Sequence, residues 1–536
     1  GEAAPPVVIK VPKDGGIKDP ITGLSGDHIL ATRARHTPNN LSLSYDEPLH
    51  MVRGEAQYLY SVSGEKYLDC VNNVAHVGHC HPAVVAATYE ALARLNTNTR
   101  YLCSGLAEYT EALLATLPRE LEVVFMCCTG SEANDLAMRL ARAATGGAGH
   151  VACLGGGYHG HTAAGIDVSH YKFAGAGGGG RQPHVHVLPC PDVYRGSNLD
   201  GVASATSAVA AAGAGGGRLA CFIGEAIPGC AGQVVLPPGY LSSVYSVARA
   251  AGAVCIADEV QTGFGRVGSH MWAFETQGVV PDIVTMGKPS GNGYPVGIVA
   301  VTRAVAEAFD SGMEYFNTFG GSNAACAAGL AVLRVLREEG LLARAADTGA
   351  MLKRELWGLA ESCPLIGDVR GLGLFLGVEL VLDAGSKRPA PAHAHWLVQR
   401  MQARGVLLST DGPFHNVLKF KPPMCFSEGD AARLVQDMRE VLLGELDEAT
   451  SERLRQQDLA EDLVAPGTWD VPATPAKAKR PPMTQVRSRA GPAVAQVFKG
   501  LVDWRSRLMG GLRKVQNVPR VLAATTAVIL AHGARG

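Results

Sequence analysis

Short apolar runs and segments of helical period alternate along most of this chain. Residues 254–257 are small or β-branched and end at the carboxylate of Asp258, the pattern of a buried parallel strand at its C-terminal tip. Residues 281–286 repeat that pattern and lead to Lys288. Further strands are predicted over 123–127, 151–154, 219–224 and 374–380. Helical periods cover 83–95, 105–117, 239–251, 323–338, 393–403 and 428–446, and one more helix opens at 129–134 and runs to Ala144. Segments 58–60 and 66–69 flank Ser63, Gly64 and Glu65 and read as a hairpin. Strands alternating with helices imply an α/β fold with a mostly parallel sheet.

Two stretches rich in Gly and Ala, 174–180 and 201–217, show no fixed period and read as flexible surface loops. The first residues read as a loose arm. Beyond Asp447 the chain carries charge, Pro and Ala without a sustained apolar face. Residues 448–536 therefore read as a mostly disordered tail with one helix near 493–509.

The 536 residues are enough for two or three domains. A formal net charge of -1 gives no electrostatic case for nucleic acid. The 13 cysteines show no framework spacing, so they read as free thiols in a reducing compartment, cytoplasm or mitochondrial matrix. Residues 1–20 lack the apolar segment of a secretory signal. The apolar run at 521–531 is shorter than the roughly 20 residues of a membrane crossing, so no membrane partner is expected.

Ligands of open α/β sheets bind at the C-terminal strand tips. Asp258 and Lys288 at neighbouring tips suit pyridoxal 5'-phosphate (PLP). The lysine binds the aldehyde, and the carboxylate keeps the pyridine nitrogen protonated. A buried ion pair that only joins two strands is the alternative. Gly130 and Ser131 at a helix N-terminus make an anion site, or else a plain helix cap. His79 with His81, and His159 with His161, suggest metal pairs, but no third ligand accompanies either and no metal is expected. Gly263, Gly265 and Gly268 match a dinucleotide fingerprint literally. No helix opens directly after them, and no acidic residue follows at the required distance.

The set Asp258, Glu259, Val260, Gln261, Gly263, Arg266, Gly268, Asp282, Gly287, Lys288, Gly291, Asn292 and Gly293 resembles the signature of the class III PLP-dependent aminotransferases of fold type I. The resemblance implies Lys288 as the cofactor-binding lysine and catalytic base, and Asp258 as the partner of the pyridinium. It implies cofactor contacts for Gly130, Ser131, Tyr158, His159, Glu225 and Gln261. It implies that Thr318 reaches the phosphate of a partner subunit's cofactor, hence a homodimer. Arg370 matches a residue that grips a substrate carboxylate. The resemblance spans about 28–447. It divides the chain into an arm (1–27), an N-terminal part of a small domain (28–82), a large cofactor domain (83–320), a C-terminal small domain (321–447) and the tail.

Within the family, stretches 72–82, 130–140, 313–321, 407–412 and 418–426 are most similar to the phospho-lyase branch. That branch eliminates phosphate and ammonia from phosphoethanolamine or 5-phosphohydroxylysine. Lys419 and Lys421 are the candidate contacts for the phosphate of such an amine. Residues 28–49, 174–180 and 289–294 depart from the animal members, which leaves an alanine–glyoxylate type transaminase as the alternative. An inactive scaffold on the same fold is the rival from another class, and the intact Asp258, Gln261 and Lys288 set argues against it.

Overall fold

The structure, a computed structural model, describes residues 13–460. A seven-stranded sheet forms its centre, in the order Leu121–Cys127, Gly297–Thr302, Ile283–Met286, Val254–Asp258, Leu219–Gly224, His150–Leu154 and Val185–Leu188. Every strand pair is parallel except the two made by Gly297–Thr302, which runs antiparallel to both neighbours. The expected mostly parallel α/β sheet is therefore present. Strands Leu219–Gly224 and Ile283–Met286 are buried at every position. That is why they read as continuous apolar runs rather than alternating ones. Asp258 pairs in register with Thr285. The Asp258 tip thus lies beside the strand that leads into Lys288.

Two smaller sheets come from regions far apart in the chain. Met51–Glu55, Tyr58–Ser61 and Lys66–Asp69 form a meander, and Val406–Leu407 adds in parallel to its last strand. Ile366–Leu372, Phe375–Leu380, Val417–Phe420 and Ser409–Asp411 form the other, all antiparallel. This second sheet carries Arg370 and Lys419 on its strands, and Lys421 follows immediately. One apolar cluster joins both small sheets to the helices Asn323–Glu338 and Leu341–Ala360.

Some segments differ from the sequence reading. The stretch 201–217 is not a loop over most of its length, because Gly201–Ala214 is a helix. Asp200 caps it by accepting from Ala203 N, and Ala205, Ala208 and Ala212 form its buried stripe. Alanine is the strongest helix former, and an alanine stripe has little amphipathic contrast. The expected tail is ordered at its start, where Glu448–Ala460 is a helix with Leu454 and Asp458 buried. Asp458 accepts from His393 Nδ1 at 2.5 Å and Ala392 N at 2.6 Å, which ties it to the helix Pro391–Ala403. The arm is anchored at Lys13, whose ammonium lies 2.9 Å from Glu65 on the hairpin. The helix expected near 493–509 lies outside the described residues.

The glycines of the dinucleotide-like motif have a packing role. Gly268 has φ +75°, and a Cβ there would lie 2.6 Å from Ala346 on the helix Leu341–Ala360. Only glycine combines that conformation with that approach.

Candidate active site

Asp258 is 3 % exposed and every donor around it is identifiable. Its Oδ2 accepts from His159 Nδ1 at 2.8 Å and from Asn134 Nδ2 at 2.8 Å, and its Oδ1 accepts from Val260 N at 3.0 Å. A carboxylate accepts only, so the proton of that pair sits on Nδ1. Asn134 is fixed in turn, since its Oδ1 accepts from Thr285 Oγ1 at 2.6 Å. Asn134 lies one turn into the helix Gly130–Ala144. The sequence places Asn134 in the opening helix, 129–134, without marking a role for it. Its signal is the four-residue spacing from Gly130, which turns it toward the same side of the helix.

The capping function at that helix belongs to other residues. Thr129 accepts from Glu132 N and Glu132 accepts from Thr129 N, a reciprocal box. Ser131 is left for a different partner, and its Oγ accepts from His161 N at 3.1 Å. Thr129 takes the Glu132 N–H, and the N–H groups of Gly130 and Ser131 ahead of it have no acceptor within the helix. Close approach is built in. A Cβ on Gly130 would meet Val260 at 2.8 Å, and one on Gly160 would meet Ser131 at 2.7 Å.

Gly130, Ser131, Asn134, Asp258, Gln261 and Lys288 surround a cavity of about 210 Å³, with Tyr158 and Glu225 also on its wall. Lys288 opens a short 3-10 turn, Lys288–Gly291, directly after its strand. Glu225 ends its strand and accepts from Tyr158 N at 3.4 Å and Gly229 N at 3.1 Å. Burial, then the nearby Asp258 charge, pushes its carboxyl up to about 7.

Lys421, just past the small-sheet strand Val417–Phe420, meets the wall of this cavity at Gln261. Its Nζ donates to Gln261 Oε1 at 2.8 Å. Burial is the main cause that brings its amine down to about 7, and the Lys419 charge adds to it. Lys419 lies 3.0 Å from Asp411 Oδ1. Asp411 is a residue that sequence reasoning passes over as part of a similar stretch.

Neither Lys419 nor Lys421 is itself on the cavity wall, and two further expected site residues, Arg370 and Thr318, are not on it either. Arg370 donates from Nη1 to Asp368 at 2.9 Å and to Glu379 at 2.7 Å, and from Nε to Gly232 O at 2.7 Å. It lines a separate cavity of about 570 Å³. Thr318 is exposed on the loop before the helix Asn323–Glu338. The histidines considered for metal have other partners. His79 is 2.7 Å from Asp69, and His81 is 2.9 Å from Glu339.

A profile of the family described as aminotransferase class III matches residues 42–442. The chain belongs to the class III aminotransferases. This is a PLP-dependent enzyme family. Among similar proteins, an "alanine–glyoxylate aminotransferase 2-like" protein of Drosophila melanogaster is 46% identical over 439 residues, covering 79% of this chain and 89% of the relative. "Ethanolamine-phosphate phospho-lyase homolog 1" of Caenorhabditis elegans is 39% identical, covering 78% of this chain and 94% of the relative. A solved phospholyase from Arthrobacter, in complex with phosphoethanolamine, superposes with a TM-score of 0.74 at 39% identity. It covers 78% of this chain and 99% of that one.

The wall of this class III cavity suits the family's cofactor. A helix N-terminus whose Gly130 and Ser131 N–H groups lack an intrahelical acceptor, with the Ser131 hydroxyl beside them, matches a phosphate. Glycines stand where a side chain would fill the space at Gly130 and Gly160. A buried carboxylate, Asp258, matches a ring nitrogen that carries a proton. The Nε2 of His159 is buried without a hydrogen-bond partner among the described residues, so it remains available for a further contact.

Proposed function

We propose that this class III enzyme eliminates phosphate and ammonia from phosphoethanolamine or 5-phosphohydroxylysine. The observation that carries the reading is the placement of Lys421 beside Gln261, with Lys419 two residues away on the same strand end. A dianionic phosphate needs cations around it both to bind and to leave. The ion pairs of Arg370 support the same reading. Its guanidinium is held by two carboxylates and is not presented to the Lys288 cavity as a free fork. That favours phosphoethanolamine, which has no carboxylate. The alternative, amino transfer to a 2-oxo acid, is favoured by the name of the Drosophila relative.

PLP, when bound, supplies an electron sink for the carbon that bears the substrate amine. The chain's own residues do the rest. Gly130 and Ser131 would hold the cofactor phosphate, joined by Thr318 from a partner subunit. Tyr158 would lie against the ring, with Glu225 near it and Gln261 at its phenolic oxygen. Asp258, aimed by His159 and Asn134, would keep the ring nitrogen protonated. Lys288 would hold the cofactor and would serve as the base that takes a proton from the carbon bearing the amine. Lys419 and Lys421 would take the substrate phosphate. A homodimer supplies the composite site, and the free thiols suit a reducing compartment, cytoplasm or matrix.

The test is incubation of the holoenzyme with each phosphorylated amine in the absence of any 2-oxo acid. Catalytic release of inorganic phosphate and ammonia is the expected result, abolished in Lys288→Ala together with the borohydride-trapped lysine adduct. Turnover that requires pyruvate or glyoxylate, with no phosphate released, would replace the lyase by the transaminase.

A further inference from the structure

We infer that Lys421 is the acid that gives a proton to the phosphate oxygen as the carbon–oxygen bond breaks, a role that rests on the lyase reading above. Lys421 is 9 % exposed, and its amine has one hydrogen-bond partner among the described residues, the neutral Gln261 Oε1. The charged and titratable groups facing it come from several elements. Lys419 and Asp411 stand on the small sheet, Lys288 on its 3-10 turn, and Cys230 on the loop after Leu219–Gly224. Asp411 is already taken by Lys419 at 3.0 Å. Lys421 therefore sits among cations with no carboxylate of its own, and its amine is held down to about 7. An arriving phosphate dianion supplies the missing counter-charge and favours the protonated amine. Lys419, with its own carboxylate, acts as the fixed cation.

Departure of phosphate needs such a proton. The ester dianion, cleaved without help, would leave as a trianion. In the proposed step Lys288 removes the proton from the carbon bearing the amine, and that electron pair becomes the new carbon–carbon double bond. The neighbouring carbon–oxygen bond breaks with its pair on oxygen. That oxygen takes a proton from Lys421 Nζ, giving hydrogen phosphate and a neutral amine, which regains its proton from water. An amine titrating near the working pH is suited to this transfer.

The experiment compares phosphoethanolamine with ethanolamine O-sulfate on the holoenzyme, reading phosphate, sulfate and ammonia. Sulfate leaves without a proton. Lys421→Met is expected to slow phosphate release about 100-fold or more and sulfate release far less. Lys421→Arg keeps the charge but yields no proton, and is expected to follow the Met variant on phosphate. The cofactor's visible absorbance checks that both variants fold. Calorimetry of inorganic phosphate binding at pH 8, in two buffers of different ionisation enthalpy, gives a readout independent of turnover. Proton uptake is expected in wild type and in Lys419→Met, and not in Lys421→Met. Equal loss with both leaving groups, or proton uptake unchanged in Lys421→Met, would overturn the role of Lys421 alone. Absence of phosphate release by the wild type would overturn the lyase reading and this step with it.

Discussion

His159 Nδ1 donates to Asp258 Oδ2 across 2.8 Å, with both side chains buried. The bond joins the loop after the strand His150–Leu154 to the tip of Val254–Asp258. It orients the carboxylate that the proposed function places against the cofactor's ring nitrogen. His159→Phe removes the donor and leaves Asp258 with Asn134 and Val260 N. A lost hydrogen bond to a charged group costs about 1.5–3 kcal/mol. The expected result is a kcat lower by about tenfold to a hundredfold, with weaker cofactor retention on dialysis. Unchanged kcat and retention would show that His159 only fills space.

Much of the site is legible in the sequence for a physical reason. Asp258 and Lys288 end apolar runs, and in a parallel sheet buried on both faces such runs mark strands whose tips share one edge. Asn134 is harder to see, because a polar residue inside a helix gives no sign of its partner, here Asp258 on a strand. The ion pairs of Arg370 are equally invisible. Asp368 lies two residues before it, but Glu379 meets it only when Phe375–Leu380 folds back on Ile366–Leu372. The strand Gly297–Thr302 lies outside the elements read from the sequence, and its antiparallel insertion beside Ile283–Met286 is set by tertiary pairing. The helix Gly201–Ala214 is hidden by its composition, since alanine against alanine leaves no contrast to read.

The buried pair His393–Asp458 fixes the helix Glu448–Ala460. Asp458 is 0 % exposed and also accepts a backbone bond from Ala392. Asp458→Ala leaves buried donors without an acceptor, at a cost of about 1–3 kcal/mol or more. Hydrogen exchange is expected to accelerate across 448–460, while exchange in the strand Val254–Asp258 stays slow. Uniform destabilisation of both regions would show that this helix is integral to the core rather than a separately opening unit.

Lys421 gives a pH dependence with a defined sign. Its folded-state pKa is about 7, below the ordinary lysine value of 10.5. Between those values the unfolded chain binds the extra proton, so stability rises with pH across that window. Below about 7 both states are protonated and the full cost of burying the charge applies. Lys421→Met removes this contribution. The lost bond to Gln261 shifts the variant equally at all pH values in comparison. The variant is expected to gain on wild type as pH falls from 10 to 7, by at most about 4 kcal/mol. Thermal unfolding at both pH values measures it. A gap independent of pH would mean that the amine stays charged throughout.

The proposed dimer has a surface to form on. Tyr101 is 67 % exposed, Leu102 fully exposed, Met313 65 % and Phe319 70 %. These segments are neighbours, because Arg100 pairs with Glu314 at 3.3 Å and stacks over the Phe316 ring at 4.0 Å. Large exposed apolar side chains grouped in this way mark an interaction surface. Thr318 stands among them, also exposed, and so can serve a site other than that of its own subunit. Sedimentation is expected to give a dimer. Leu102→Asp with Phe319→Asp should give a monomer that loses activity and holds the cofactor poorly. Thr318→Ala should stay dimeric and release the cofactor more readily, because it removes only the contact proposed for the cofactor phosphate. A charged double variant that is monomeric yet fully active would show that each subunit's site is complete on its own.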